Sequence, residues 1–349
     1  MEQMKAAVFE DIERIVVQEV PKPVCPADGI LVRVEACGIC GGDIRNYHQG
    51  LKNGAKNQIM GHEIAGVVEE AAAGLRFSKG DRVATAPDIS CGGCYYCKRG
   101  MVNLCLDHKM LGTHVPGGFA QYIALPGLVL NHGFVEKFPD GMSFTEAAFA
   151  EKVAGVVACQ ARNNIALGDT VVILGDGPVG CLHTEIAKAR GASQALVAGM
   201  DRLDFVSRFP ADAVLDNRDP EAVVAEVLKR TGGIGADFVI CAVPTTAVQG
   251  QALRMVRKRG TVVIYGGAPK DDRRMASLDS NLIHYNEINV NGSFSYPACG
   301  VQDALAQIAQ GNVHVDLYIT AELPLEKLVW GMEEMQAGRA LNIMIRPWL

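Results

Sequence analysis

The stretch Thr170 to Gly180 constrains this chain most. Val171, Val172, Ile173 and Leu174 run straight into Gly175-Asp176-Gly177-Pro178-Val179-Gly180, and the residues beyond carry a helical pattern. A strand, a glycine turn and a helix in that order open a nucleotide-binding βαβ unit. Gly175 permits the tight turn, Gly177 lets the backbone approach a pyrophosphate, and Gly180 allows helix and strand to pack closely. Pro178 and Val179 lie between them as further candidate cofactor contacts, where the helix start offers free N–H groups to an anion. Glycine turns after strands also serve as plain connections, so the pattern draws its weight from metal-ligand chemistry upstream.

At 349 residues the chain suits two domains. Its formal net charge of -6, without a lysine or arginine cluster, leaves no electrostatic footprint for nucleic acid. The start, Met1-Glu2-Gln3-Met4-Lys5-Ala6, lacks a basic head followed by an apolar core, and no apolar run reaches membrane-spanning length. A soluble, cytoplasmic protein without a membrane partner is expected. In such a chain eleven cysteines point to metal binding or burial before disulfides.

Residues 4 to 35 alternate apolar and polar positions, interrupted by Pro21, Pro23 and Pro26, which predicts antiparallel β structure. In Cys37-Gly38-Ile39-Cys40-Gly41-Gly42-Asp43 the glycine density predicts a turn that exposes the Cys40 thiolate; a structural cysteine in a tight turn is the other reading. Gly61-His62-Glu63 opens a strand over Ile64 to Glu69, and adjacent imidazole and carboxylate suit metal ligation, although most histidines bind nothing.

Cys91, Cys94, Cys97 and Cys105 carry the strongest local signal. Four thiolates this close, in a loop containing Gly92, Gly93 and Gly100, fit a closed tetrahedral zinc site that orders a loop short of apolar surface. Four protein ligands leave no open position, so the site is structural. A pair of disulfides and an iron–sulfur cluster are the alternatives. Farther on, Ser143 to Ala166 reads as a helix, with Glu151 among alanines, valines and Phe149. A carboxylate in that company needs a partner, unless the helix turns it to solvent.

Taken together, Cys40 in Gly-Ile-Cys-Gly-x-Asp, Gly61-His62-Glu63, the four-cysteine loop, Gly118-Phe119-Ala120-Gln121-Tyr122, Glu151 and Gly175-x-Gly177-Pro178-x-Gly180 resemble the zinc-dependent medium-chain dehydrogenases over essentially the whole chain. Glutamate at 151, where other alcohol dehydrogenases of the family carry cysteine, makes the chain similar to the polyol and threonine dehydrogenase branch. The resemblance implies an α/β protein: a GroES-like β-rich catalytic domain over 1–150, completed by 295–349, and a Rossmann doubly wound parallel sheet over 151–294. It implies that Cys40, His62 and Glu151 hold a catalytic zinc, that Glu63 is an exchangeable fourth ligand, and that Asp43 orients His62. It further implies NAD or NADP as cofactor, a small-molecule alcohol or ketone as substrate, and a homodimer or homotetramer.

Beyond the turn, strands near Ala195 to Ala198, Ala213 to Leu215, Phe238 to Cys241 and Thr261 to Tyr265 alternate with helices near Glu221 to Arg230 and Val248 to Val256, the pattern of a doubly wound parallel sheet.

Three positions depart from the family pattern. Gly42 and Arg45 replace a hydroxyl residue and a histidine that commonly relay the substrate proton, which leaves Glu63, Tyr47, His48 or water for proton exit and gives Arg45 a possible role toward an anionic substrate group, against that of a plain surface arginine. Gly199 stands where an acidic residue usually reads the cofactor ribose; Asp201 could still reach the ribose hydroxyls and Arg202 could hold a 2′-phosphate. Lys152 follows Glu151 where proline is common. The expected activity is reversible oxidation of a secondary alcohol of a polyol or polyol phosphate, with a threonine-type dehydrogenase and a non-catalytic zinc-binding member as alternatives.

Overall fold

The computed structural model describes residues 2–268 and 272–349. By its internal contacts the chain forms two units, one of residues up to Ala154 together with Tyr296–Leu349, the other of Gly155–Ser295. Among the described residues, no helix is long and apolar enough to cross a membrane.

The chain starts with the antiparallel hairpin β1 (Gln3–Asp11) and β2 (Arg14–Pro21), as the alternation over residues 4 to 35 predicts. It continues through β3 (Ile30–Gly38), α1 (Gly41–Gln49), β4 (Gln58–Ile59), β5 (Glu63–Ala71), β6 (Arg82–Ala86) and β7 (Asp88–Ile89). After the cysteine loop come β8 (Lys109–Met110), β9 (Tyr122–Leu125), α2 (Gly127–His132), β10 (Phe134–Lys137) and the long α3 (Phe144–Arg162).

The second unit then runs β11 (Thr170–Leu174), α4 (Pro178–Ala189), β12 (Gln194–Gly199), α5 (Leu203–Val206), β13 (Ala213–Asp216), α6 (Pro220–Arg230), β14 (Ala236–Cys241), α7 (Ala247–Leu253), β15 (Val256–Ile264), α8 (Ser280–Asn286) and β16 (Asn289–Gly292). The chain returns to the first unit with α9 (Gly300–Ala309), β17 (Ile319–Leu323), α10 (Leu328–Gln336) and β18 (Asn342–Ile345).

In the second unit the sheet order is β13-β12-β11-β14-β15-β16 with every pairing parallel, which is 3-2-1-4-5-6 in the unit's own count. That is the doubly wound α/β arrangement, whose order reverses beside its first strand and opens a crevice there. β11 is central, and Val171, Val172, Ile173 and Leu174 are all fully buried. An unbroken apolar run is what a strand covered on both faces requires. Each such side chain contributes about 1.5–3 kcal/mol by its burial.

In the first unit the larger sheet runs β10-β6-β5-β3-β18-β17, with β9 also paired to β3. Its core gathers Ile30, Val32, Val34, Ile64, Val68, Phe119 and Ile123 with Leu325, Leu328 and Met332 from the returning segment. β3 and β5 are antiparallel in a register that pairs Gly38 with Glu63. The end of one strand therefore lies beside the start of the other, which brings Cys40, just beyond β3, next to His62, just before β5.

One local expectation differs. The residues after Cys40 form helix α1 and not a turn, despite Gly41 and Gly42. The Asp43 carboxylate accepts a hydrogen bond from the Cys40 backbone N–H at 3.0 Å and caps the helix start, offsetting the low helix propensity of two glycines.

Candidate functional site

Cys40 Sγ, a His62 ring nitrogen and a Glu63 carboxylate oxygen lie within 4.8 Å of one another. His62 and Glu63 are buried, and Glu63 is wholly so. Thiolate, imidazole and carboxylate converging in this way form a donor set suited to zinc. Asp43 Oδ1 stands 3.4 Å from His62 Nδ1, so the carboxylate fixes the ring orientation. Burial alone would push the His62 imidazole down, but the Asp43 charge and the hydrogen bonds the ring donates to Asp43 and Cys40 outweigh it and hold the group well above its ordinary value. Metal binding here must therefore displace a proton.

Glu151 and Lys152, adjacent on α3, take different partners. Glu151 stands outside the Cys40–His62–Glu63 group, and its Oε1 accepts from the Tyr296 hydroxyl at 3.2 Å. Burial, reinforced by the nearby Glu63 charge, pushes its carboxyl up to about 7. Lys152 Nζ donates to both carboxylate oxygens of Glu63 and to the Ile39 carbonyl at 3.3 Å. Burial disfavours its charge, yet Glu63 more than compensates and raises its pKa. The resemblance places Glu151 ahead of Glu63 as a metal ligand; the geometry groups Glu63 with Cys40 and His62.

Gly42 and Arg45 bear on the mouth of this group. The point where a Cβ at position 42 would stand is 3.8 Å from Cys40 Sγ, 3.8 Å from His62 Cε1 and 3.9 Å from Arg45 Nη2. A hydroxyl residue there would face the donor atoms; in this chain the nearby polar group is the guanidinium of the exposed Arg45. The two candidates for proton exit in α1 point elsewhere. Tyr47 donates its hydroxyl hydrogen to the Glu13 carbonyl at 2.9 Å, and His48 bonds Glu13 and Gln336 through its two ring nitrogens.

The second cysteine group also assembles. The Sγ atoms of Cys91, Cys94, Cys97 and Cys105 lie within 4.8 Å of one another, with Cys94–Cys97 at 3.4 Å and Cys91–Cys97 at 4.0 Å. A tetrahedral ion with Zn–S near 2.3 Å sets sulfurs about 3.8 Å apart, whereas a disulfide needs about 2.05 Å. The loop prepares its thiolates unequally. Backbone N–H groups of Cys97 and Leu106 bring Cys94 down to about 6, while burial pushes Cys105 up to about 12. A bound cation resolves that difference by ionising all four. Gly92, at φ +69°, cannot be replaced without cost, because a Cβ would strike the His132 ring at 2.3 Å.

The glycine turn after β11 has the shape its sequence predicts. Gly175 adopts φ +141°, and a Cβ at Gly180 would lie 1.9 Å from the Gly175 carbonyl oxygen, so helix and strand touch there. A Cβ at Gly177 would meet nothing within 4 Å, leaving the space a pyrophosphate needs at the start of α4. Pro178 occupies the first turn of α4, where its missing N–H removes no bond, and Val179 follows it. Past β12, Asp201 meets Arg218 Nη2 at 3.5 Å, while the backbone N–H groups of Met200, Asp201 and Arg202 all turn to Asp176.

Lys152 as partner of Glu63, Tyr296 as partner of Glu151, and Asp176 are not found by the sequence reasoning. Gly199, in the place of the expected acid, is the signal that could have led to Asp176.

Residues 26–140 match the profile described as the alcohol dehydrogenase GroES-like domain, and residues 178–310 that of the zinc-binding dehydrogenase. The chain is 32% identical to the sorbitol dehydrogenase of Bacillus subtilis (strain 168), over 99% of this chain and 97% of that one. It is 30% identical to the D-arabitol-phosphate dehydrogenase of Enterococcus avium, over 93% and 91% of the respective chains. Among solved structures, a zinc-binding dehydrogenase from Sinorhizobium meliloti 1021 bound to NADP superimposes with a TM-score of 0.90 at 29% identity, covering 99% of this chain and 100% of that one.

Proposed function

The chain belongs to the zinc-dependent medium-chain dehydrogenases, and from that premise we propose that it interconverts a secondary alcohol of a polyol or polyol phosphate with the corresponding ketone, using NAD or NADP. The observation that carries this reading is the convergence of Cys40, His62 and Glu63 within 4.8 Å at the paired ends of β3 and β5. Those three residues would hold the catalytic zinc, with Glu151 beside them, and the four cysteines of the 91–105 loop would hold a structural one. When bound, the zinc supplies a Lewis acid for the substrate hydroxyl and the nicotinamide a hydride acceptor.

The chain's own residues do the rest. Asp43 holds the His62 ring through Nδ1 and so directs its other nitrogen. Lys152 anchors Glu63, keeping a buried carboxylate in one place. Gly42 leaves room above Cys40 and His62, and Arg45 offers a cation at that opening, which favours the phosphorylated members of the substrate class. Gly175, Gly177 and Gly180 shape the cradle for the cofactor pyrophosphate.

The proposed assembly is a homodimer or homotetramer in the cytoplasm. Support comes from β16, an edge strand of four exposed residues that includes Val290, 36% exposed, with Phe294, 53% exposed, just beyond it, which offers an edge and apolar surface to a second copy. A reducing compartment suits a chain with cysteines grouped for metal ligation.

The test is nicotinamide reduction by the purified protein across neutral polyols, polyol phosphates and threonine, with wild type beside Arg45→Ala. Turnover of polyols or their phosphates supports the reading, and threonine as the sole substrate would replace it. A selective rise in KM for the phosphates in Arg45→Ala supports the placement of Arg45.

A further inference from the structure

The turn between β11 and α4 carries a carboxylate that its glycines do not require. Asp176 is 8% exposed, and its Oδ2 accepts hydrogen bonds from the backbone N–H groups of Met200, Asp201 and Arg202 at 2.7, 2.7 and 2.8 Å. These amides belong to the segment that leaves the end of β12. Gly199, the last residue of β12, is packed against the same side chain: a Cβ there would stand 2.3 Å from Asp176 Cβ and 2.5 Å from Oδ2. Position 199 is thus glycine because Asp176 already fills the space its side chain would need.

In the doubly wound fold an acidic residue about 20 residues beyond the glycine turn, at the end of the second strand, accepts a hydrogen bond from the cofactor's 2′-hydroxyl, whereas a 2′-phosphate needs hydrogen-bond donors and positive charge at the same place. Here the carboxylate reaches that place from the other side, out of the β11 turn. It has two consequences for a 2′-phosphate. The three amides most suited to hold the phosphate oxygens are already bonded to Asp176, and a fixed negative charge lies where the phosphate would have to enter. Oδ1, by contrast, has no protein partner among the described residues and can accept a hydroxyl hydrogen. Arg218, a cation beside this segment, is shared by Asp216 at 3.1 Å and Asp201 at 3.5 Å.

We infer that Asp176 makes the chain selective for NAD(H) over NADP(H), acting from the glycine turn in place of an acid at position 199. The inference rests on the dehydrogenase reading above.

Direct titration of the purified full chain with NADH and with NADPH, followed by calorimetry or nicotinamide fluorescence, tests it without any alcohol substrate. The dissociation constant for NADPH is expected to exceed that for NADH by about 100-fold, the combined effect of one repelled charge and donors already taken. Asp176→Asn keeps the shape and an oxygen acceptor for the amides while removing the charge, and is expected to narrow that ratio by about 10-fold or more. NADPH binding to the wild type as tightly as NADH overturns the inference, and so does an unchanged ratio in a folded Asp176→Asn variant; the wild-type comparison stands even if the variant does not fold. Binding of neither nucleotide contradicts the dehydrogenase reading itself and the selectivity with it, a result distinct from equal binding of both.

Discussion

Lys152 Nζ bonds both carboxylate oxygens of Glu63 across 89 residues of sequence, with the lysine side chain 6% exposed and the glutamate side chain 0%. The pair places a fixed cation near Cys40 and holds the Glu63 carboxylate in one position. Cutting one partner from a buried pair leaves the other charged and unsolvated, at about 3–5 kcal/mol. Lys152→Met is therefore expected to lower the unfolding free energy of the metal-free protein by about that much, read from denaturant midpoints. Added zinc is expected to restore part of the loss, because the ion replaces the missing cation beside Glu63. A variant as stable as the wild type without metal would contradict the pairing.

His183, on α4, is fully buried, and burial pushes its imidazole down to about 3. Gln160 Nε2 lies 3.2 Å from its Nδ1, and its Nε2 has no partner among the described residues, so the ring is neutral in the folded state. Its unfolded value is about 6.5. Above that pH both states are neutral and the group is indifferent. As pH falls below 6.5 the unfolded chain takes up a proton that the native ring refuses, so stability declines by about 1.4 kcal/mol per pH unit until about pH 3. At pH 5 the loss from this group amounts to about 2 kcal/mol, and a His183→Gln variant, which cannot titrate, lacks it. Parallel stability–pH curves for the two proteins would show that His183 is not buried as described.

Much of this architecture was legible because it depends on short-range pattern. The run Val171 to Leu174 is a buried parallel strand, and the spacing of Cys91, Cys94, Cys97 and Cys105 brings four sulfurs together. What escaped depends on contacts between distant segments. Lys152 stands out in the sequence only as the residue in place of a common proline, and its pairing is visible only once β5 brings Glu63 against it. Tyr296 reaches Glu151 from 145 residues away. Asp176 lies inside a motif that is recognised by its glycines, and the reason for Gly199 is visible only once β12 lies beside β11. Gly41 and Gly42 argue against a helix at α1, whereas the capping bond that the Cys40 N–H donates to the Asp43 carboxylate favours one.

The two cysteine-containing groups predict two zinc ions per chain with separate losses. Cys97→Ser is expected to halve the zinc content of the purified protein and to loosen the 91–105 segment, seen as new proteolytic cleavage there. Cys40→Ser is expected to halve the zinc content as well, with that segment still protected. Full zinc content in either variant would contradict the ligand set assigned to it.

If Cys40, His62 and Glu63 hold the catalytic zinc, polyol oxidation depends on the ion at that site. This dependence is tested most directly by following nicotinamide reduction with the best polyol or polyol phosphate before chelation, after chelation, and after zinc is returned, in parallel with measured zinc content. Activity is expected to disappear when the ion leaves the Cys40 site and to return with it, while Cys40→Ser stays inactive throughout. Undiminished turnover in a protein shown to hold no zinc at that site would contradict it.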